Sequence, residues 1–271
     1  YKSRPMEEIV SEVESLVAQG VKEFQIIAQD LTYYGKDLYG RFAIAELVER
    51  ISDIKGVEWI RLHYGYPTQF PYDLLRVMRE RENVCKYLDI ALQHIDDDIL
   101  RAMRRPITEE ETLTLLDRIR EEVPGIHIRT TLMVGFPGET EAQFNKLMDF
   151  TRKARFERMG AFKYCEEEGT YAGDHLKDNV SEKTKEKRLD QLMALQETIA
   201  EELNNAKVGQ SFKVIIDRKE DDYYYGRNEF DSPEVDQEVL IPVSLGELTI
   251  GAFYAVRITA YECFDLIGEL V

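Results

Sequence analysis

The sequence predicts an α/β protein: a partial, open TIM-like barrel followed by a small all-β barrel of the OB-like kind. Short apolar runs alternate with helical segments through about the first 180 of the 271 residues. After a long amphipathic segment, the apolar period shifts from 3.6 to 2. Only three cysteines occur, which excludes a disulfide framework. We therefore expect a barrel domain at 1–180, a linker helix at 181–206 and a β domain at 207–271.

The first element is a helix, because apolar residues from Met6 to Val17 recur at helical spacing and Gly20 follows as a stop signal. Five short apolar strands then alternate with helices. This spacing of about 28–40 residues is typical of βαβ units, and strands buried on both faces favour a parallel sheet. The predicted strands begin near residues 24, 59, 87, 127 and 159.

Two of the intervening helices carry capping boxes at their amino-terminal ends. Thr108 stands three residues before Glu111, and Thr140 stands three residues before Gln143. In such a pair the hydroxyl and the acidic or amide side chain satisfy free backbone N–H groups at the helix start. Both helices are therefore predicted to begin at these threonines.

Five strands are too few for a closed barrel, which has eight and typically takes about 250 residues. The chain also opens with a helix that no strand precedes. We therefore expect a further strand upstream of Tyr1, with this chain as a piece of something longer.

A long amphipathic helix is predicted from Ser181 to about Asn205. Beyond it, five segments with period-2 patterning are separated by Gly, Asp and Asn turns, as expected for a small closed β-barrel. These predicted strands cover residues 212–217, 223–227, 238–242, 253–259 and 263–271.

The chain is strongly acidic, with a formal net charge of −17. Residues 207–271 contain 6 Lys+Arg and 13 Asp+Glu, a net −7, which leaves −10 for the remainder. Such a surface repels phosphate backbones and favours a basic protein as partner. No run reaches the roughly 20 apolar residues of a membrane helix, so we expect a cytoplasmic setting without a membrane partner.

Polar residues gather where the predicted strands end, the edge at which parallel sheets carry their functional groups. These residues are Gln29, Asp30, His63, Tyr64, Gln93, His94 and the turn Gly135–Glu139. Inside the strands, Asp89 and Arg129 are charged residues in apolar runs, and a buried charge needs a partner or a ligand. Either they form a salt bridge across neighbouring strands or they contact a ligand. The histidines lack metal-binding spacing, so no metal is assigned.

Several segments together resemble the radical S-adenosylmethionine (SAM) methylthiotransferases, most closely the RimO branch, which modifies an aspartate of the twelfth small-subunit ribosomal protein. The resemblance spans essentially all 271 residues. It is carried by Lys2-Ser-Arg-Pro5, Gln29-Asp-Leu-Thr-Tyr-Tyr-Gly-Lys-Asp-Leu-Tyr-Gly40, Tyr87-Leu-Asp-Ile-Ala-Leu-Gln-His94, Met103-Arg-Arg105, Arg129-Thr130, Gly135-Phe-Pro-Gly-Glu-Thr140 and Ser232-Pro-Glu-Val-Asp236.

The resemblance implies a radical SAM partial barrel and a TRAM domain that recognises substrate. It implies S-adenosylmethionine and two 4Fe-4S clusters as cofactors of the full-length protein. The CxxxCxxC loop of the family would lie upstream of Tyr1, so this chain is expected to lack the cluster ligands and to be inactive alone. No catalytic side chain and no metal ligand is assigned within it.

By the same resemblance, candidate SAM contacts are Gln29 and Asp30 for the polar head or ribose, Gln93 for the ribose, and Arg129 for the carboxylate. The turn containing Gly135 and Glu139 is expected on the adenine side. Glu234 and Asp236 are candidate substrate-binding residues on the TRAM domain.

Two other functions remain open. The chain could belong to a transfer-RNA methylthiotransferase of the same superfamily, although a tail that docks on phosphates should be basic rather than −7. It could also be a non-catalytic protein-binding module, since it carries no clustered cysteines.

Overall fold

The structure, a computed structural model, describes residues 2–271 and contains a parallel sheet covered by helices and a separate closed β-barrel. The sheet part comprises α1 Met6–Ala18, β1 Glu23–Ile26, α2 Lys36–Tyr39, α3 Ile44–Ser52, β2 Trp59–Gly65, α4 Asp73–Glu80, β3 Val84–Ile90, α5 Asp97–Ala102, α6 Glu109–Glu122, β4 His127–Val134, α7 Glu141–Ala154, β5 Arg158–Lys163 and α8 Tyr171–His175. The long helix is α9 Glu182–Lys207, and the barrel comprises β6 Ser211–Glu220, β7 Tyr223–Asn228, β8 Val239–Pro242, β9 Phe253–Glu262 and β10 Asp265–Leu270.

The five strands β1 to β5 form one parallel sheet in sequence order. This confirms the predicted open, TIM-like arrangement. Within residues 2–271, β1 pairs only with β2 and β5 only with β4, so both edges of the sheet are unpaired.

The two faces of the sheet pack against different partners. Ile128, Leu132 and Val134 of β4 face the helices and belong to the main apolar core. Because side chains alternate along a strand, Arg129 and Thr131 point to the opposite, concave face. On that inner face Trp59 and Tyr87 pack with Ile215 of the small barrel.

The small barrel closes in the order β10-β8-β7-β6-β9, as the period-2 patterning predicts. Its core is mainly aliphatic and includes Val214, Ile216, Val239, Ile241, Val256 and Ile258. A barrel has no free edges, so the 60-odd residues after α9 can bury a core of their own.

The loop between β7 and β8, residues 229–238, joins the two parts. Phe230 stacks on His127 at the start of β4, with ring centroids 4.0 Å apart. Asp231 is fully buried and forms an ion pair with Arg158 at the start of β5. This β7–β8 loop therefore covers the amino-terminal half of the inner face.

A buried ionic cluster reinforces the same contact. The Glu23 carboxylate accepts hydrogen bonds from Arg61 of the sheet (3.2 Å to Nη2) and from Arg227 of the barrel (2.7 Å to Nη2). Arg61 also donates to the Glu229 carbonyl oxygen at 2.6 Å. Burial alone would raise the pKa of Glu23, but the two guanidiniums outweigh it and hold that pKa below its ordinary value of 4.5.

Candidate functional site

Gln29 and Asp30 lie just past the carboxyl end of β1. Gln29 is exposed. Asp30 caps a short 3₁₀ turn, where its Oδ1 accepts from the Thr32 backbone N at 3.0 Å and from the Thr32 hydroxyl at 2.5 Å. Within residues 2–271 the Asp30 Oδ2 atom and the Gln29 amide have no hydrogen-bond partner, so both can meet a ligand.

Gln93 follows β3 in a strained backbone conformation. Its φ is +68°, a region that non-glycine residues rarely adopt. The conformation is held by two bonds to β4: the Gln93 N–H donates to the Thr131 carbonyl at 2.8 Å, and its carbonyl accepts from the Met133 N–H at 2.7 Å. Such imposed strain is typical of functional positions, and it fixes where the Gln93 side chain starts.

Helix α9 packs against the Gly135–Glu139 turn. The Glu139 side chain is buried, and its Oε1 accepts from the Gly135 N–H at 3.0 Å and from Arg188 Nη1 at 2.7 Å. Its Oε2 lies 3.3 Å from His94 Nε2. The Glu139 carboxylate thus binds protein groups and shapes the turn, and the contact of Gly135 and Glu139 with SAM stays a prediction.

Arg129 and Asp236 bind each other. Arg129 Nη1 lies 2.5 Å from Asp236 Oδ1, and the other Asp236 oxygen accepts from the Tyr87 hydroxyl and the Ser232 N–H, both at 2.9 Å. The Asp236 side chain is only 1% exposed. Asp236 therefore anchors the β7–β8 loop to the sheet, and its role in substrate binding stays a prediction.

The alternative prediction, a salt bridge between Asp89 and Arg129, holds only in part. Arg129 Nε lies 3.9 Å from Asp89 Oδ1, which is beyond hydrogen-bond distance. The sequence predicted that the Arg129 guanidinium binds the SAM carboxylate. In the structure this guanidinium is paired mainly with a carboxylate of the protein itself. Glu234, by contrast, is exposed on the β7–β8 loop and remains accessible.

Two further polar groups occupy the inner face above the β7–β8 loop. His63 on β2 is 8% exposed and Asp89 on β3 is 7% exposed. Burial, together with the nearby Arg61, lowers the pKa of His63 to about 4, and burial raises the pKa of Asp89. For Asp89 the sequence left open a salt bridge with Arg129 or a ligand contact, and for His63 it gave no role. The signal available for both was their alternation with the apolar residues Leu62 and Leu88.

The cysteines of this chain do not form a cluster site. Cys85 is buried, and burial raises the pKa of its thiol to about 12. Cys165 and Cys263 are exposed on different parts of the molecule. Within residues 2–271, no group of three or more His, Cys, Asp or Glu side chains could hold a metal ion, so the residues present do not fit an iron–sulfur cluster.

Among the helices described for residues 2–271, none is long and apolar enough to span a bilayer.

Curated relatives match the whole chain. It is 62% identical to the ribosomal protein uS12 methylthiotransferase RimO of Parabacteroides distasonis over 271 residues, and 62% identical to that of Bacteroides thetaiotaomicron over 269 residues. Identity to the corresponding protein of Christiangramia forsetii is 51% over 269 residues. The alignments cover 99–100% of this chain but only 60–62% of those proteins, so the chain spans about three-fifths of their length.

Among solved structures, coproporphyrinogen III oxidase (HemN) from Escherichia coli, described as a radical SAM enzyme, superposes with a TM-score of 0.53 at 15% identity. The match covers 83% of this chain and 60% of that one and concerns the fold alone. The profile of the TRAM domain matches residues 208–271. The profile of the radical SAM superfamily matches residues 1–151. Because this second profile spans more than half of the 271 residues, the chain belongs to the radical SAM superfamily.

Proposed function

We propose that this chain is part of a radical SAM methylthiotransferase that adds a methylthio group to the β-carbon of an aspartate in the small-subunit ribosomal protein uS12. The observation that carries the proposal is identity of about 60% to relatives of that name along the sheet, α9 and the small barrel together. A ribosomal protein as substrate would place the enzyme in the cytoplasm.

Gln29, Asp30 and Gln93 would hold SAM. They present an amide, a free carboxylate oxygen and a second amide at the carboxyl ends of β1 and β3, the strands on either side of β2. Such groups suit an ammonium group and ribose hydroxyls. When bound in the complete enzyme, SAM supplies the radical that removes hydrogen from the substrate carbon. The ligands of the two expected 4Fe-4S clusters would have to come from outside this chain.

The TRAM domain would present an acidic surface to a basic partner. Its exposed acidic residues outnumber its exposed basic ones, which are Lys213, Lys219 and Arg257. Two of these three are already engaged, Lys213 with Glu58 and Arg257 with Glu269. Complementary charge speeds the encounter with a Lys- and Arg-rich protein and disfavours RNA. The exposed acidic residues are Glu220, Asp221, Asp222, Glu234, Glu247 and Glu262.

The test uses the full-length gene product, anaerobically reconstituted with iron and sulfide and supplied with SAM and a reductant. Purified uS12 and bulk transfer RNA are offered in parallel and analysed by mass spectrometry. We expect one methylthio group on the target aspartate of uS12, and none on uS12 in which that aspartate is alanine. Modification of the transfer RNA instead would establish the rival function, and a protein that binds uS12 without modifying it would support a binding module.

A further inference from the structure

A cavity of about 320 Å³ lies where the unpaired edge of β5 meets α9 and the small barrel. Its lining residues come from the start of β5, the second half of α9, the β7–β8 loop and the turn between β9 and β10. Both parts of the chain are therefore needed to form it. Gln29, Asp30 and Gln93, which would hold SAM, are not among the lining residues.

Large apolar side chains are exposed in and beside this cavity. Val235 on the β7–β8 loop is 58% exposed and Phe264 in the β9–β10 turn is 52% exposed, and both line the cavity. Phe162 on β5 is 61% exposed. Apolar side chains that are exposed together on a folded surface mark a site of interaction with another molecule.

Open space extends from the cavity along β5. Gly160 lines the cavity, and a Cβ placed on Gly160 would have nothing within 4 Å. Because side chains alternate along a strand, Phe162 lies on the same face as Gly160. Lys163 ends β5 three residues beyond Gly160, about 10 Å at 3.3 Å per residue. A chain seated in the cavity therefore reaches the carboxyl-terminal edge of the sheet, where SAM would bind, within about three extended residues.

The exposed and unpaired charges around the cavity are negative. Its two arginines, Arg129 and Arg158, are paired with buried aspartates of the β7–β8 loop. Glu197 on α9 lines the cavity, is exposed, and has no ion pair within residues 2–271. Glu234, on the β7–β8 loop beside the cavity, is also exposed and unpaired among the described residues. Such a rim attracts a segment rich in Lys and Arg and disfavours RNA.

We propose that the β5 groove, formed by Gly160, Phe162, Glu197, Val235 and Phe264, binds a basic segment of uS12 that flanks the target aspartate. An aliphatic side chain of that segment would enter the cavity beside Val235 and Phe264, and a neighbouring lysine or arginine would pair with Glu197. This inference rests on the proposed function and adds to it the surface that positions the substrate chain.

Photo-crosslinking tests which molecule occupies the groove. The photoreactive residue p-benzoylphenylalanine replaces Phe264 in the full-length protein, which is irradiated with purified uS12 and analysed by mass spectrometry. We expect crosslinks to the uS12 segment beside the target aspartate. The control replaces Ile250, which is 60% exposed beyond the opposite end of β9, and should give none. Crosslinks from the Phe264 position only to the enzyme itself, or equal crosslinking from both positions, would overturn the proposal.

A larger side chain at Gly160 tests whether the open space is used. Because an added Cβ meets nothing there and the backbone is not left-handed, Gly160→Leu should fold as the wild type does. By calorimetry with the full-length protein, we expect binding of uS12 to weaken about tenfold and binding of SAM to stay unchanged. Ala255→Leu adds bulk at an exposed position of β9 outside the groove and should change neither affinity. Wild-type affinity for uS12 in Gly160→Leu would contradict the proposal.

Charge reversal tests the electrostatic part. Glu197→Lys should weaken uS12 binding about fivefold at low salt, and the difference should shrink as salt screens the exposed charge. Glu121→Lys makes the same change at an exposed position of α6, on the helix-covered side of the sheet, and should leave the affinity as in the wild type. Equal losses in the two variants would mean that net charge, rather than the groove, attracts uS12, and the proposal would fail.

The outcomes separate the two proposals. If the wild-type enzyme neither binds nor modifies uS12, the proposed function falls and the groove falls with it. If the wild-type enzyme modifies uS12 while Gly160→Leu binds uS12 normally, the groove alone falls.

Discussion

At the residue scale, the sequence identified which charges would be buried but not what they would meet. Asp89 and Arg129 lie in apolar runs, and that alone required partners for them. The main partner of Arg129 is Asp236, 107 residues away on the β7–β8 loop. Nothing in local spacing indicates a contact between two domains, so the pairing of Arg129 with Asp236 could not be predicted from the sequence. The contact of Glu139 with Arg188, on a helix 49 residues later, was equally unpredictable from local spacing.

Gly135 offers a test of close packing in the turn after β4. Its φ is +70°, and a Cβ added there would lie 2.4 Å from Cγ of the buried Lys185. We expect Gly135→Ala to lower the free energy of unfolding by about 2–4 kcal/mol, the sum of overpacking and a disfavoured φ. Chemical denaturation of this chain measures it.

Gly138 in the same turn is the control. Its φ is +86°, but nothing lies within 4 Å of an added Cβ. Gly138→Ala should therefore cost only the backbone term, about 1 kcal/mol. Equal losses for the two variants would show that the contact with α9 does not constrain Gly135.

At the element scale, local chemistry predicted most helix starts and strand positions. Both capping boxes form, with Thr108 Oγ1 accepting from the Glu111 N–H at 3.2 Å and Thr140 Oγ1 accepting from the Gln143 N–H at 3.3 Å. The strands begin within about three residues of the predicted positions. The short α2 and α8 were missed, because four or five residues show too little periodicity to be recognised.

The cap of α6 can be separated from its helix propensity. Thr108→Ala removes the hydroxyl that accepts from the Glu111 N–H, and we expect a loss of about 1 kcal/mol in unfolding free energy. Thr114→Ala makes the same change at an exposed interior position of α6, where alanine is the better helix former, and should stabilise by up to about 0.5 kcal/mol. Changes of the same sign at both sites would contradict the capping role.

At the scale of the whole molecule, the alternation of helices and strands predicted an open sheet and a small barrel, and both are confirmed. How the barrel sits on the sheet was not predictable. The contact between sheet and barrel depends on ionic groups from three separate parts of the sequence, namely Glu23, Arg61 and Arg227. Hydrophobic patterning carries no information about such pairings.

The buried ionic cluster of Glu23, Arg61 and Arg227 should contribute most of the electrostatic stabilisation between the two domains. Glu23→Gln leaves Arg61 and Arg227 buried with less negative charge, and we expect it to cost about 3 kcal/mol at pH 7. Because the pKa of Glu23 is lowered in the folded state, its contribution is complete above pH 4.5 and is lost as the pH falls through the folded value. The deficit of the variant should therefore shrink below pH 4.5 in denaturation measured across pH.

Glu58 is the exposed counterpart, since it also joins the sheet to the barrel, through Lys213 at 2.7 Å, with both side chains nearly half exposed. Glu58→Gln should change stability by less than about 0.5 kcal/mol. A larger effect at Glu58 than at Glu23 would mean that surface charge, rather than the buried cluster, holds the domains together.

The stacking of Phe230 on His127 closes the concave face at the amino-terminal ends of the strands. A polypeptide cannot pass through a concave face that is closed at one end, and a flat surface cannot reach that closed end. A group that reaches Asp89 must therefore come by the carboxyl ends of the strands or by the unpaired edges of the sheet. Under the proposed function, a substrate that carries its target aspartate on a projecting loop would therefore fit this face better than one with a flat surface.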